Sequence, residues 1–128
     1  MTYILIVEDD VDSAEILSHH LNQHLALPIE HVANGYEVLR MVKNNPPDLI
    51  FMDVNLPDDD GRVICNQIKN RLGDNAPKII VMTAAHNDAQ NIVARQMGAD
   101  DFIGKPLRMN RVIKKAKHYL VAKQDNSA

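Results

Sequence analysis

Short, nearly unbroken apolar runs recur along the chain. Each is followed by a longer stretch in which apolar residues return every three or four positions. Tyr3 to Val7, Leu49 to Met52 and Lys78 to Met82 are the clearest runs. They predict strands of a parallel sheet covered on both faces. Ile29 to Ala33 is a weaker, mixed run, and Asp101 to Ile103 a short one. The segments between them have helical spacing. Ala14, Leu17, Leu21 and Leu25 form the first stripe, with Asp10 or Asp12 placed to cap it. Val38, Leu39 and Val42 form the second, and Ile64, Ile68 and Leu72 the third. Ala89, Ile92, Val93 and Met97 predict the inward face of a fourth helix that starts at Asn87 or Asp88. Met109, Val112, Ile113, Ala116 and Leu120 predict that of a fifth. Pro28, Asn34-Gly35, Pro46-Pro47, Gly73 and Gly98 punctuate the series. Five strands alternating with five helices predict an α/β sandwich on a parallel sheet. One domain is expected over residues 1–122, with a polar, frayed tail over 123–128.

The totals narrow the classes. A chain of 128 residues is large enough for one core without disulfide staples. The single cysteine, Cys65, excludes an internal disulfide, suits a reducing compartment and falls on a helix as core packing. A formal charge of −3 gives no general attraction to nucleic acid or anionic lipid. Seven of the 14 basic residues follow Gly104, which gives the last helix a basic outer face. With no aromatic residues interleaved, that face reads as solvated surface, and no direct nucleic-acid binding is expected. His20 and His24 are four apart on the first helix but lack a third ligand, so they too read as surface. Neither a signal peptide nor a membrane span is visible, and a cytoplasmic location is expected.

The strand ends carry the chemistry. The first strand stops at Glu8-Asp9-Asp10, the third at Asp53, the fourth at Thr83, and the fifth leads into Gly104-Lys105-Pro106. In a parallel sheet these residues share one edge, where ligands bind in open α/β folds. Clustered carboxylates raise one another's pKa unless a cation intervenes, and a few carboxylate oxygens with water and phosphate suit Mg²⁺. A hydroxyl and an ammonium beyond Asp53 are placed to hold phosphoryl oxygens during transfer.

From Ile4 to about Leu120 the chain resembles the receiver domain of two-component response regulators. Five segments carry the resemblance: Ile6-Val7-Glu8-Asp9-Asp10, Ala33-Asn34-Gly35, Met52-Asp53-Val54-Asn55-Leu56-Pro57, Val81-Met82-Thr83-Ala84, and Gly98 through Pro106. It implies a three-layer α/β/α sandwich of the flavodoxin-like (βα)5 type, with strand order 2-1-3-4-5. Asp53 would accept a phosphoryl group from a sensor histidine kinase or a histidine phosphotransfer protein. Glu8, Asp9, Asp53 and the Asn55 carbonyl would hold Mg²⁺. Thr83 and Phe102 would form the switch, and Lys105 would be aimed by a cis bond to Pro106. Two positions depart from the pattern: Asp10 is an extra acid, and Asp59 stands where an apolar residue is usual.

Rival readings fit less well. Glu8-Asp9-Asp10 would repel the phosphate of FMN, and no Gly-x-Gly-x-x-Gly follows a strand. A haloacid-dehalogenase-like phosphatase would carry a second aspartate where this chain has Asn55. The remaining alternative is a pseudo-receiver, a docking module that is not phosphorylated. Such domains usually lose an acid, the phosphoacceptor or the lysine, and all are present here.

Overall fold

The computed structural model describes residues 2–84 and 87–126, with side chains described as far as Val121. Its strands are β1 (Ile4–Val7), β2 (Ile29–Val32), β3 (Leu49–Asp53), β4 (Lys78–Thr83) and β5 (Asp101–Gly104). Its helices are α1 (Val11–Leu25), α2 (Gly35–Asn44), α3 (Gly61–Leu72), α4 (Asp88–Gln96) and α5 (Met109–Asn126), with a 3-10 turn at Gly73–Asn75. All strand pairs are parallel, in the order β2-β1-β3-β4-β5.

The alternation of side chains along each strand builds two cores. Leu5, Val7, Ile50, Met52, Ile79 and Val81 face α2 and α3, where they meet Val38, Val42, Ile64, Cys65 and Ile68. Ile4, Ile6, Leu49, Phe51, Ile80 and Met82 face α1 and α5, against Ala14, Leu17, Leu21, Val112, Ile113 and Ala116. Each large aliphatic or phenyl side chain buried in this way is worth about 1.5–3 kcal/mol. The central strands are apolar on both faces because both faces are covered. β2, at the sheet edge, is half-exposed, which explains its mixed sequence. Cys65 is buried, and burial pushes its thiol up to about 12, so it packs as a small apolar group.

Local chemistry sets the element ends. Asp10, rather than Asp12, caps α1 through the amides of Asp12 and Ser13. Asn34, Asp60 and Asn87 cap α2, α3 and α4. α5 runs on to Asn126, past the boundary at Lys123 where a polar tail was expected. Ser127 and Ala128 of that tail lie outside the described residues.

The inward face expected for α4 is corrected. Ala94 is its buried residue, whereas Ala89, Ile92 and Val93 are exposed and Met97 is half-buried. This short helix docks through the small Ala94, close to Ala99, and its larger apolar side chains turn outward. Over nine residues the spacing permits either face, and only docking chooses between them.

Candidate functional site

Three strand ends deliver the central charges. Asp53 is the last residue of β3, Glu8 follows β1, and both are buried at 4% exposure. Lys105 follows β5 and donates from Nζ to Asp53 Oδ2 at 2.9 Å and to Glu8 Oε2 at 3.1 Å. The other carboxylate oxygens are held by backbone. Asn55 N–H donates to Asp53 Oδ1 at 3.1 Å, and Asp10 N–H donates to Glu8 Oε1 at 3.1 Å. Asp9 is exposed at the rim, yet one carboxylate oxygen each from Glu8, Asp9 and Asp53 lie within 4.8 Å of one another.

This balance invites a cation. Three carboxylates face one ammonium. Burial, and then a hydrogen bond with the Asp53 carboxyl, raise the pKa of Glu8 above the usual glutamate range, despite help from Asp10 N–H and Lys105. Burial works against the Lys105 ammonium, but hydrogen bonds to Asp53 and Glu8 outweigh it and raise its pKa. An all-oxygen, net-negative cluster at an open rim fits a hard divalent cation such as Mg²⁺.

The remaining expected residues lie around this centre. Thr83 ends β4 beside β3, and its carbonyl accepts from Lys105 N–H at 2.9 Å. Asn55 lies in the loop after β3, bridged to Asp60 in an antiparallel pair. The Lys105–Pro106 peptide is cis. Phe102 is half-buried on β5, opposite Val81, with the Arg95 guanidinium 5.1 Å from its ring centroid. Of the two departures, Asp10 is accounted for as the cap of α1. Asp59 is exposed and accepts from Asp60 N–H at 2.8 Å.

Three contacts have no counterpart in the sequence reading. Asp58 lies in the run of acids that leads into α3. Its two oxygens accept from Gly35 N–H and Tyr36 N–H at 2.9 and 3.0 Å, which ties the loop after Asp53 to the start of α2. Arg62 bridges Asp60, at 2.7 Å, to Gln90 of α4, at 2.6 Å. His31 Nε2 donates to the Glu8 carbonyl at 2.6 Å. Each joins residues far apart in the chain, and no local spacing signals it.

The family model for the response regulator receiver domain matches residues 4–117. The chain belongs to that family. The receiver is 31% identical to the TorCAD operon transcriptional regulatory protein TorR of Escherichia coli O157:H7 over 119 residues, 92% of this chain and 50% of that protein. It is 34% identical to the transcriptional regulatory protein BaeR of Escherichia coli O6:H1 over 117 residues, 91% of this chain and 47% of that protein. The chain thus spans about half the length of these curated relatives. A solved two-component response regulator from Clostridium difficile superposes with a TM-score of 0.85 at 31% identity, covering 94% of this chain and 96% of that one. The strand order and the two helical layers of this receiver are those the resemblance implied. Among the described residues, no helix is long and apolar enough to cross a membrane.

Proposed function

We propose that this receiver takes a phosphoryl group onto Asp53 from a phosphohistidine of a sensor histidine kinase or histidine phosphotransfer protein in the cytoplasm. The observation that carries the reading is the buried Asp53 carboxylate. It has an ammonium on one oxygen at 2.9 Å and the Glu8 and Asp9 carboxylates gathered beside it. Glu8, Asp9, Asp53 and the Asn55 carbonyl would hold Mg²⁺, which when bound neutralises charge on the transferring phosphoryl oxygens. Asp53 supplies the attacking oxygen. The new bond joins it to phosphorus as the phosphorus–nitrogen bond breaks, and the imidazole leaves with the electron pair. Lys105 moves with the developing charge: already bonded to Asp53, it can hold a phosphoryl oxygen without crossing the site. Asn55 N–H, on the other Asp53 oxygen, fixes the plane of the carboxylate.

Phosphorylation then adds charge and acceptor oxygens at the end of β3. The Thr83 hydroxyl, one strand away, is the group drawn toward them. Its displacement makes room for the Phe102 ring, and the surface of α4, β5 and α5 presents a second state to partners with differential affinity.

Acetyl phosphate with Mg²⁺ provides the test. Intact-mass spectrometry is expected to show one added phosphoryl group, absent in Asp53→Asn and absent with EDTA. Labelling that persists at equal yield in Asp53→Asn would remove the phosphoacceptor role of Asp53, labelling that ignores EDTA would remove the role of Mg²⁺, and no labelling of the wild type would leave a docking module.

A further inference from the structure

We propose that His31 is a positioning residue for the acid pair, setting the Glu8–Asp9 peptide so that both carboxylates meet a divalent cation. The inference rests on the reading of Glu8, Asp9 and Asp53 as a cation site.

The ladder between β1 and β2 brings His31 to this peptide. Ile4 N–H donates to the Pro28 carbonyl at 3.0 Å, and Glu8 N–H donates to the Val32 carbonyl at 3.1 Å. In a parallel ladder the donor and acceptor steps alternate with a period of two residues. The next step would bring Asn34 N–H to the Glu8 carbonyl. The chain has turned away by then: Ala33 N–H bonds Glu37 Oε2 at 3.0 Å, and Asn34 caps α2. β2 reaches the Glu8 carbonyl with a side chain instead, the His31 imidazole at 2.6 Å. The Nε2–H needed for this bond is present in one neutral tautomer and in the protonated ring.

The consequence falls on the peptide that joins the two acids. Glu8 is held at its N–H by Val32, at Oε1 by Asp10 N–H and at Oε2 by Lys105. Those bonds fix the Glu8 side chain and the entry to the turn. Among the described bonds, the one from His31 reaches the Glu8–Asp9 peptide itself. The Asp9 side chain is exposed at the rim of the site, outside the packed cores. The orientation of that peptide is therefore what aims the Asp9 carboxylate toward Glu8 and Asp53. Groups that orient the ligands of a metal in this way commonly govern its affinity.

Mg²⁺ titration of the metal-free protein, followed at the Asp9 and Asp10 amides by NMR, reads this directly. His31→Ala is expected to weaken Mg²⁺ binding about three- to tenfold, the worth of one net hydrogen bond, with the melting temperature within about 5 °C of wild type. His31→Gln, whose amide can donate to the same carbonyl, is expected to recover most of the loss. Wild-type affinity in His31→Ala, equal weakening in both variants, or a fall in melting temperature beyond about 5 °C would each overturn the assignment. A wild type that binds no Mg²⁺ at millimolar concentration would instead remove the cation site itself.

Discussion

Gly61 sits tightly against the end of β3, beside Asp53, and Gly61→Ala tests the packing there. α3 begins at this residue, its N–H bonded to the Val54 carbonyl at 2.7 Å. A Cβ at this position would sit 2.0 Å from the Asp53 carbonyl oxygen and 2.9 Å from its carbon. Real contacts need about 3 Å, so the start of α3 or the end of β3 must move by about 1 Å. Both are backbone, and neither yields as a side chain would. Overpacking of this kind costs about 1–3 kcal/mol, and straining the 2.7 Å bond adds about 1 kcal/mol. The better helix propensity of alanine offsets less than about 1 kcal/mol at the first turn. A net loss of about 2–3 kcal/mol lowers the melting temperature of a domain this size by roughly 6–15 °C. Gly35→Ala is the control. Its Cβ would meet Ile64 Cδ1 at 2.7 Å, the tip of a side chain that can rotate away, and the expected loss is under about 1 kcal/mol. Thermal melts followed by circular dichroism, paired with acetyl phosphate labelling, measure both stability and the placement of Asp53. If Gly61→Ala melts within 2 °C of wild type, or Gly35→Ala falls as far, α3 does not press on Asp53 in solution as described.

Two further outcomes follow from the charged groups. Lys69 donates to Asp100 Oδ2 at 2.6 Å and to the Pro77 carbonyl at 3.0 Å, and the same Asp100 oxygen accepts from Ile79 N–H at 2.8 Å. Lys69→Met leaves the half-buried Asp100 carboxylate with the Ile79 N–H and, as a cation, Lys78 at 3.9 Å, and is expected to cost about 1.5–3 kcal/mol in urea unfolding; an unshifted midpoint would refute this. Glu8, with its raised native pKa, contributes stability that is present below its unfolded value near 4.5 and is lost as pH rises through the native value. Glu8→Gln is therefore expected to be more stable than wild type at pH 7 without divalent cations, with the gap closing as pH falls through that window. Parallel stability curves across the window would contradict it.

The legible part of this protein was whatever short-range pattern expresses. Leu49 to Met52 and Ile79 to Met82 are apolar without interruption because the sheet is covered on both sides, so the covering layers are written into the strands themselves. With strands parallel, Glu8, Asp53, Thr83 and Lys105 had to share an edge, and the charges of the centre were visible before any distance was known. What needed the tertiary structure was every choice that local pattern leaves degenerate. α4 turns Ala94 inward and Ile92 outward because docking favours close approach by a small residue, and nine residues of spacing do not encode that preference. Asp58 reaches back to the amides of Gly35 and Tyr36, while its neighbour Asp60 caps α3, although both are acids in one run. His31 meets the Glu8 carbonyl only because β2 lies beside β1 and ends one ladder step early. Periodicity reports which face of an element is buried when burial is extensive. Hydrogen bonds between distant side chains and backbone depend on where the elements finally rest, and only the assembled fold decides them.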